Sequence, residues 1–262
     1  MIAEIYGKIS GSGSNLSDRL EDQLTGNFFG CMRYLPFNSG MKKILQKSVH
    51  PTGLFDCLEN THREEWHESI RFWQDCSFER TEPDVVIELD DTVILVEVKL
   101  WSGLSSDDDN DPQAREDKIE SNNQLGRESR LLATKYSKYK NKVLLLVAPE
   151  ASATEIFRNI SERQRKGERI IADGVDFGYS TWQRVLENLM ALSPTDPFQV
   201  IIIYDLVNLL KRKGFERFNS FDGEMIAVVN PNDCWEFNYT AVPDFKFGYC
   251  RTITEGLYYE FK

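Results

Sequence analysis

The sequence has no apolar run close to the roughly 18 residues that span a bilayer, so no transmembrane helix is expected. Its first residues, MIAEIYGKISGSGSN, carry neither the basic stretch nor the apolar core of a secretory signal. A cytoplasmic location is the resulting expectation. Cysteine is sparse and unpaired: Cys31, Cys57, Cys76, Cys234 and Cys250 are odd in number, widely spaced and form no C-x-x-C pair. That argues against a disulfide framework and against a structural zinc site. Of three histidines, His62 and His67 stand five apart in THREEWHES, on different faces of a helix, and read as surface residues. There is no internal repeat, no low-complexity linker and no G-x-S-x-G elbow. GSGSN (11–15) lacks the Lys-Ser/Thr sequel of a phosphate loop. DDDNDPQAREDK puts Pro112 and Lys118 where a calcium loop needs Gly and Glu.

The chain has 262 residues, 41% hydrophobic and 28% charged, the composition of an ordinary globular protein with a normal core. Its net charge of −11 weighs against nucleic-acid binding, but the charge is uneven. Residues 121–170 hold eleven Lys/Arg against five Asp/Glu, a net of +6, which leaves −17 on the rest. Screening limits distant charge to about 10 Å, so a local basic face can still meet phosphates. Two solvated helices would give the same count.

Periodicity predicts a helix over 14–35, with Leu16, Leu20, Leu24, Phe28 and Met32 in line and Pro36 ending it. Two shorter helical pieces are expected around 40–48 and 61–74. DVVIEL (84–89) and TVILVEVKL (92–100) read as a hairpin about Asp90-Asp91, followed by a polar loop, SGLSSDDDNDP. A long helix over 113–138 precedes KVLLLVAP (142–149), a strand buried on both faces. Helices are expected at 151–167 and 180–192, the second capped by Ser180 or Thr181. FQVIIIY (198–204) reads as a second buried strand leading into a helix closed by Gly214. The fold expected is α/β: a central mixed β-sheet flanked by helices over 1–215, with a β-rich extension, 216–262, packed on the same domain.

The hairpin carries the chemistry. With a two-residue turn at Asp90-Asp91, paired positions sum to 181, so Leu89 faces Thr92 and Asp84 faces Glu97. Alternation puts Lys99 on the face of Glu97 and leaves Val85, Ile87, Leu89, Ile94, Val96 and Val98 on an apolar one. Two directly opposed carboxylates lie about 5 Å apart and repel by roughly 3 kcal/mol at an effective dielectric of 20. Lys99 supplies one positive charge between them. Mg²⁺ would supply two more and suits a hard-oxygen site, where it could activate a water and stabilise a phosphate oxygen. Lys99 could orient or deprotonate that water, or stabilise the developing charge.

Pro83-Asp84 opening one strand, a short hairpin, and Glu97-Val98-Lys99 ending the next resemble the signature of the PD-(D/E)XK, restriction-endonuclease-like nucleases. The resemblance covers about residues 14–150, and 180–222 is more weakly similar to a segment of bacterial proteins of that group. It implies a restriction-endonuclease-like core and a metal-dependent nuclease hydrolysing phosphodiester bonds in DNA, in restriction, phage defence or repair. It further implies Mg²⁺, replaceable by Mn²⁺, held by Asp84, Glu97, Val98 and Glu21, the last on the helix before the hairpin. Asp84, Glu97, Lys99 and Gln124 are the implied catalytic set. Gln124 fits the slot some branches give a glutamine on the helix after the Glu-x-Lys strand, but the tyrosine that follows it in some exonuclease branches is absent. The implied partners are DNA, a second copy of the chain as a homodimer, or a larger defence or repair assembly, and no membrane. Trp101, directly after the strand, is a candidate to stack on a base. Two other readings stay open: a non-catalytic or partner-dependent nucleic-acid-binding module of the same fold, and an unrelated α/β protein whose hairpin face is only structural.

Overall fold

A computed structural model describes residues 16–63, 65–74, 81–100 and 123–217. Trp101, the acidic loop, positions 113–122 of the expected helix and the expected extension from 218 onward lie outside the described residues.

A six-stranded mixed sheet organises the chain, in the order β1-β6-β5-β4-β3-β2. The strands are β1 (Val49–His50), β2 (Ile70–Phe72), β3 (Val85–Glu88), β4 (Thr92–Val98), β5 (Asn141–Ala148) and β6 (Asp176–Thr181). β2, β3 and β4 pair antiparallel, β4, β5 and β6 parallel, and β1 antiparallel to β6. The helices are α1 (Leu16–Met32), α2 (Met41–Ser48), α3 (Gln124–Lys135), α4 (Glu150–Arg165), α5 (Trp182–Met190) and α6 (Pro197–Arg212).

The hairpin register is the expected one. Val85 faces Val96, Val86 faces Leu95, Ile87 faces Ile94 and Glu88 faces Val93, and the Leu89 N–H donates to the Thr92 carbonyl at 2.8 Å across the turn. Because side chains alternate, each strand feeds two cores. Val85, Ile87, Ile94, Val96 and Val98 pack with residues of α1, α2, α5 and α6 on one face. Val86, Val93 and Leu95 pack with Leu131 and Leu132 of α3 and Ile160 of α4 on the other. Strands covered on both sides explain why β4 and β5 are almost continuously apolar.

Two expected elements are corrected. Residues 61–74 are not a helix: a 3₁₀ turn, Trp66–Ser69, leads into β2. Ile70 and Phe72 are buried while Arg71 is exposed, a period of two rather than 3.6. Residues 198–204 are not a strand but the first half of α6. Asp196 caps that helix by accepting from the Phe198 and Gln199 N–H groups, and Pro197 takes the first turn, where a missing N–H costs nothing. The cap outweighs the weak β preference of Val-Ile-Ile-Ile. Helical spacing then buries Ile203, Leu206 and Leu210 and leaves Phe198, Ile201 and Tyr204 exposed. The strand slot goes instead to β6, DFGYST, whose polar content hides it. Gly178 sits there because β1 runs close: an added Cβ would lie 2.7 Å from the His50 carbonyl oxygen and also meet Leu54.

Candidate active site

The site lies where β4 ends. The Lys99 N–H donates to the Val147 carbonyl at 2.8 Å, the Lys99 carbonyl accepts from the Trp182 indole at 3.1 Å, and the Leu100 N–H donates to Glu21 Oε2 at 2.7 Å. Side chains from α5 and α1 thus finish the backbone hydrogen bonding that the strand leaves open. Trp182 is fully buried, stacks on Phe215 and meets Phe28 edge-on. Trp182→Phe keeps most of that packing but orphans the Lys99 carbonyl. A loss of about 1–3 kcal/mol in urea unfolding is expected; a loss below about 0.5 kcal/mol would mean that this carbonyl needs no protein donor.

The structure brings together Glu21, Asp84, Glu97, Val98, Lys99 and Gln124, while Trp101 lies outside the described residues. Asp84 Oδ2 accepts from the Val98 N–H at 2.8 Å and Oδ1 from the Trp73 indole at 3.2 Å. Val98 enters through its backbone, its side chain lying in the core on the opposite face. Glu97 Oε1 accepts from Lys99 Nζ at 2.7 Å and from Gln124 Nε2 at 2.6 Å. Lys99 Nζ also lies 3.3 Å from Glu21 Oε1. Glu21 stands one turn before Leu24, which is wholly buried, so α1 presents its carboxylate to the sheet while packing its apolar stripe.

Two residues were not anticipated. Glu128, one turn after Gln124 on α3, is completely buried and its Oε1 accepts from Gln124 Nε2 at 3.2 Å. Its helical offset of four from Gln124 was the available signal, since i and i+4 share a face. Trp73, the residue directly after β2, holds Asp84 with a left-handed backbone, φ +41°, a conformation that costs a non-glycine residue about 1–2 kcal/mol. Strain at a residue holding a buried carboxylate often marks a functional site; nothing in the sequence flags it.

Electrostatics are the outstanding property here. Asp84, Glu97 and Glu128 are buried, Glu21 is nearly so, and Lys99 is the cation they surround. Burial, then the charge of Glu97, pushes Asp84 well above the usual carboxylate range. Burial, then the charge of Glu128, does the same to Glu97. Glu128 is raised to about 7, chiefly by burial, with its hydrogen bonds to Glu97 and Gln124 opposing. Burial works against the charge of Lys99, but Glu97 and Glu21 outweigh it and hold the ammonium above the ordinary lysine value.

Raised carboxyl pKa values fix the sign of a pH effect. Such a group holds its proton more tightly folded than unfolded, so folding is favoured most below the unfolded pKa and loses that support as pH rises through the folded one. For Glu128 the window runs from 4.5 to about 7. In EDTA the protein is expected to melt several degrees lower at pH 8 than at pH 5, a cost on the order of 2 kcal/mol. Glu128→Gln should reduce the difference, leaving the contributions of Asp84 and Glu97. A melting temperature that rises from pH 5 to pH 8 would contradict this arrangement.

Among the described residues, no group of three or more His, Cys, Asp and Glu is arranged to hold a metal ion. Mg²⁺ in general needs as few as one or two protein carboxylates, because it keeps water and substrate oxygens in its shell. The residues fit that role on a specific observation: Glu97 Oε2 is buried and has no hydrogen-bond partner. Six basic residues of the stretch lie away from the site, while Arg127 and Arg130 share the helix of Gln124 and Glu128. Lys135, Lys138 and Lys140 are exposed just before the end of β5 where Thr92 pairs with Asn141, roughly 17 Å along β4 from Glu97, and Arg165, Lys166 and Arg169 are exposed at and beyond the end of α4. His62 and His67 are exposed, as expected. No helix among the described residues is long and apolar enough to cross a membrane. Comparison with protein-family models, with curated proteins and with solved structures found no match.

Proposed function

We propose that this chain is a metal-dependent nuclease of the PD-(D/E)XK type, hydrolysing phosphodiester bonds in DNA. One observation carries the reading. Four acidic side chains, Glu21, Asp84, Glu97 and Glu128, converge on a single buried lysine at the end of a hairpin. Ionised, they leave a formal −3 in a region removed from water, an arrangement no fold gains from by itself. A bound divalent cation offsets most of it. Catalytic sites are where such shifted carboxylates gather.

Asp84, Glu97 and Val98 would hold the cation, with Glu21 beside them as the resemblance implies. Once bound, the cation supplies Lewis acidity to a phosphate oxygen and acidifies a water. The protein's own groups do the positioning. The Val98 N–H and the Trp73 indole fix Asp84, so its carboxylate is set before any ligand arrives. Gln124 donates to Glu97 and to Glu128, and so ties α3 to the end of β4. Lys99, kept protonated by Glu97 and Glu21, is suited to stabilise charge growing on a phosphate oxygen rather than to remove a proton. The restriction-endonuclease-like assignment rests on the motif and on the hairpin register that aligns Asp84 with Glu97. Nicking of plasmid DNA in Mg²⁺ or Mn²⁺, lost in EDTA, is the test.

A further inference from the structure

Glu21 and Glu128 compete for one role, and their hydrogen bonds differ. Both oxygens of Glu21 are committed, Oε1 to Lys99 Nζ at 3.3 Å and Oε2 to the Leu100 N–H at 2.7 Å. A metal at Glu21 would have to share oxygens that already accept from a backbone donor and a buried ammonium. Glu128 is the reverse case. Its Oε1 accepts from Gln124, while its Oε2 is buried and has no hydrogen-bond partner. Glu97 is built the same way: Oε1 takes Lys99 and Gln124, and Oε2 has no partner. The two carboxyl groups lie within hydrogen-bonding range of each other, and each is at least nine-tenths buried. Gln124 binds the Oε1 atom of both, so one amide holds the pair in register.

Without a cation the two groups share a hydrogen bond, one of them holding a proton; with both ionised they cannot satisfy one another, since both then only accept. An orphaned buried acceptor costs about 1–3 kcal/mol, more when charged, and here each of the two neighbouring carboxyl groups carries one. A cation that accepts a lone pair from each carboxylate oxygen satisfies both at once. Lys99 cannot be that species because its ammonium is engaged on the Oε1 side and with Glu21.

We infer that Glu128 is a ligand of the divalent cation, that the Oε2 atoms of Glu97 and Glu128 bind it between them, and that Glu21 instead holds Lys99 and the end of β4. The inference rests on the metal-dependent reading above and changes which glutamate serves the metal. Two carboxylates with water completing the shell suit a hard cation such as Mg²⁺ or Mn²⁺.

The test measures cation binding without reference to cleavage. Mn²⁺ is titrated into the full-length protein and free Mn²⁺ is followed by electron paramagnetic resonance, for wild type, Glu128→Gln and Glu21→Gln. Thermal melts run in parallel in EDTA and in Mn²⁺. Glu128→Gln should weaken Mn²⁺ binding at least tenfold and abolish the Mn²⁺-induced rise in melting temperature, while melting in EDTA no lower than wild type. Glu21→Gln should bind Mn²⁺ within about threefold of wild type and melt lower in EDTA. Glu128→Asp, which keeps the charge on a shorter arm, should bind with intermediate affinity; it decides the matter should the Gln variant not fold. Wild-type Mn²⁺ affinity in Glu128→Gln, or in Glu128→Asp where that variant is the readout, overturns the inference. So does a larger loss in Glu21→Gln. Binding that depends on Glu128 in a protein that cuts no nucleic acid would leave the inference standing and remove the nuclease reading. Cutting with Glu128-independent binding would do the opposite. A wild type that binds no Mn²⁺ ends both.

Discussion

Glu97→Gln is expected to abolish cleavage and to make the metal-free protein more stable. The two effects share one cause. Glu97 Oε1 accepts from Lys99 and Gln124, and a glutamine oxygen keeps both bonds. The new amide nitrogen replaces Oε2, a buried acceptor with no hydrogen-bond partner, and can donate to the equally orphaned Oε2 of Glu128. Satisfying two buried polar atoms is worth about 1–3 kcal/mol, and removing one buried negative charge among four adds to it. Melting in EDTA should rise by several degrees. The same change takes a carboxylate from the proposed metal shell, and a metal's contribution of several kcal/mol to the transition state corresponds to a loss on the order of 10³-fold in rate. Gains in stability when a site residue is neutralised are the usual mark of a site held ready for its ligand. A variant that melts lower than wild type in EDTA would show that the Glu97–Lys99 pair is structural; a variant that still cuts would remove Glu97 from the chemistry.

Lys99→Ala is expected to act in the opposite direction on stability. Its ammonium is the positive charge between Glu97 and Glu21, 2.7 Å and 3.3 Å away. Losing one member of a buried pair typically costs 3–5 kcal/mol because the partner is left uncompensated, and here two partners are left. Cleavage should vanish as well. The double change Lys99→Ala with Glu97→Gln separates folding from chemistry: it should melt well above Lys99→Ala alone, by a coupling of about 1–3 kcal/mol, yet remain inactive. Additive effects would mean that Lys99 and Glu97 do not sense each other in the folded protein.

Much of the site was legible because it is written in local geometry. A hairpin closed by Asp90-Asp91 fixes its own register, and the register alone brings Asp84 opposite Glu97 and sets Lys99 on the same face. Glu21 and Gln124 followed from the motif's neighbourhood, and both side chains reach the strand end. Glu128 was not legible because an acidic residue in the basic stretch NNQLGRESRLLATK reads as a solvated helix position. Its burial depends on how α3 lies across β4, which the i+4 offset from Gln124 implies only once Gln124 is placed in the site. Trp73 escaped for the same reason: its indole reaches Asp84 from a positive-φ position just past the end of β2.

The fold shows the same division. β3, β4 and β5 announce themselves by long apolar runs, because they are covered on both faces. β6 does not, because polar side chains and Gly178 suit a strand lying between β5 and the short β1. The apolar run at 198–204 misleads because β-branched residues tolerate a helix whose start is well capped, and Asp196-Pro197 supplies that start. Reading the cap ahead of the composition would have assigned the helix.

Plasmid cleavage tests the central claim most directly. Supercoiled plasmid is incubated with purified wild type and with Glu97→Gln in Mg²⁺, in Mn²⁺ and in EDTA. The account predicts nicked or linear product for wild type in either metal, none in EDTA, and none for Glu97→Gln in any condition. Intact plasmid with wild type in both metals, or cutting that persists in EDTA or in Glu97→Gln, would contradict it.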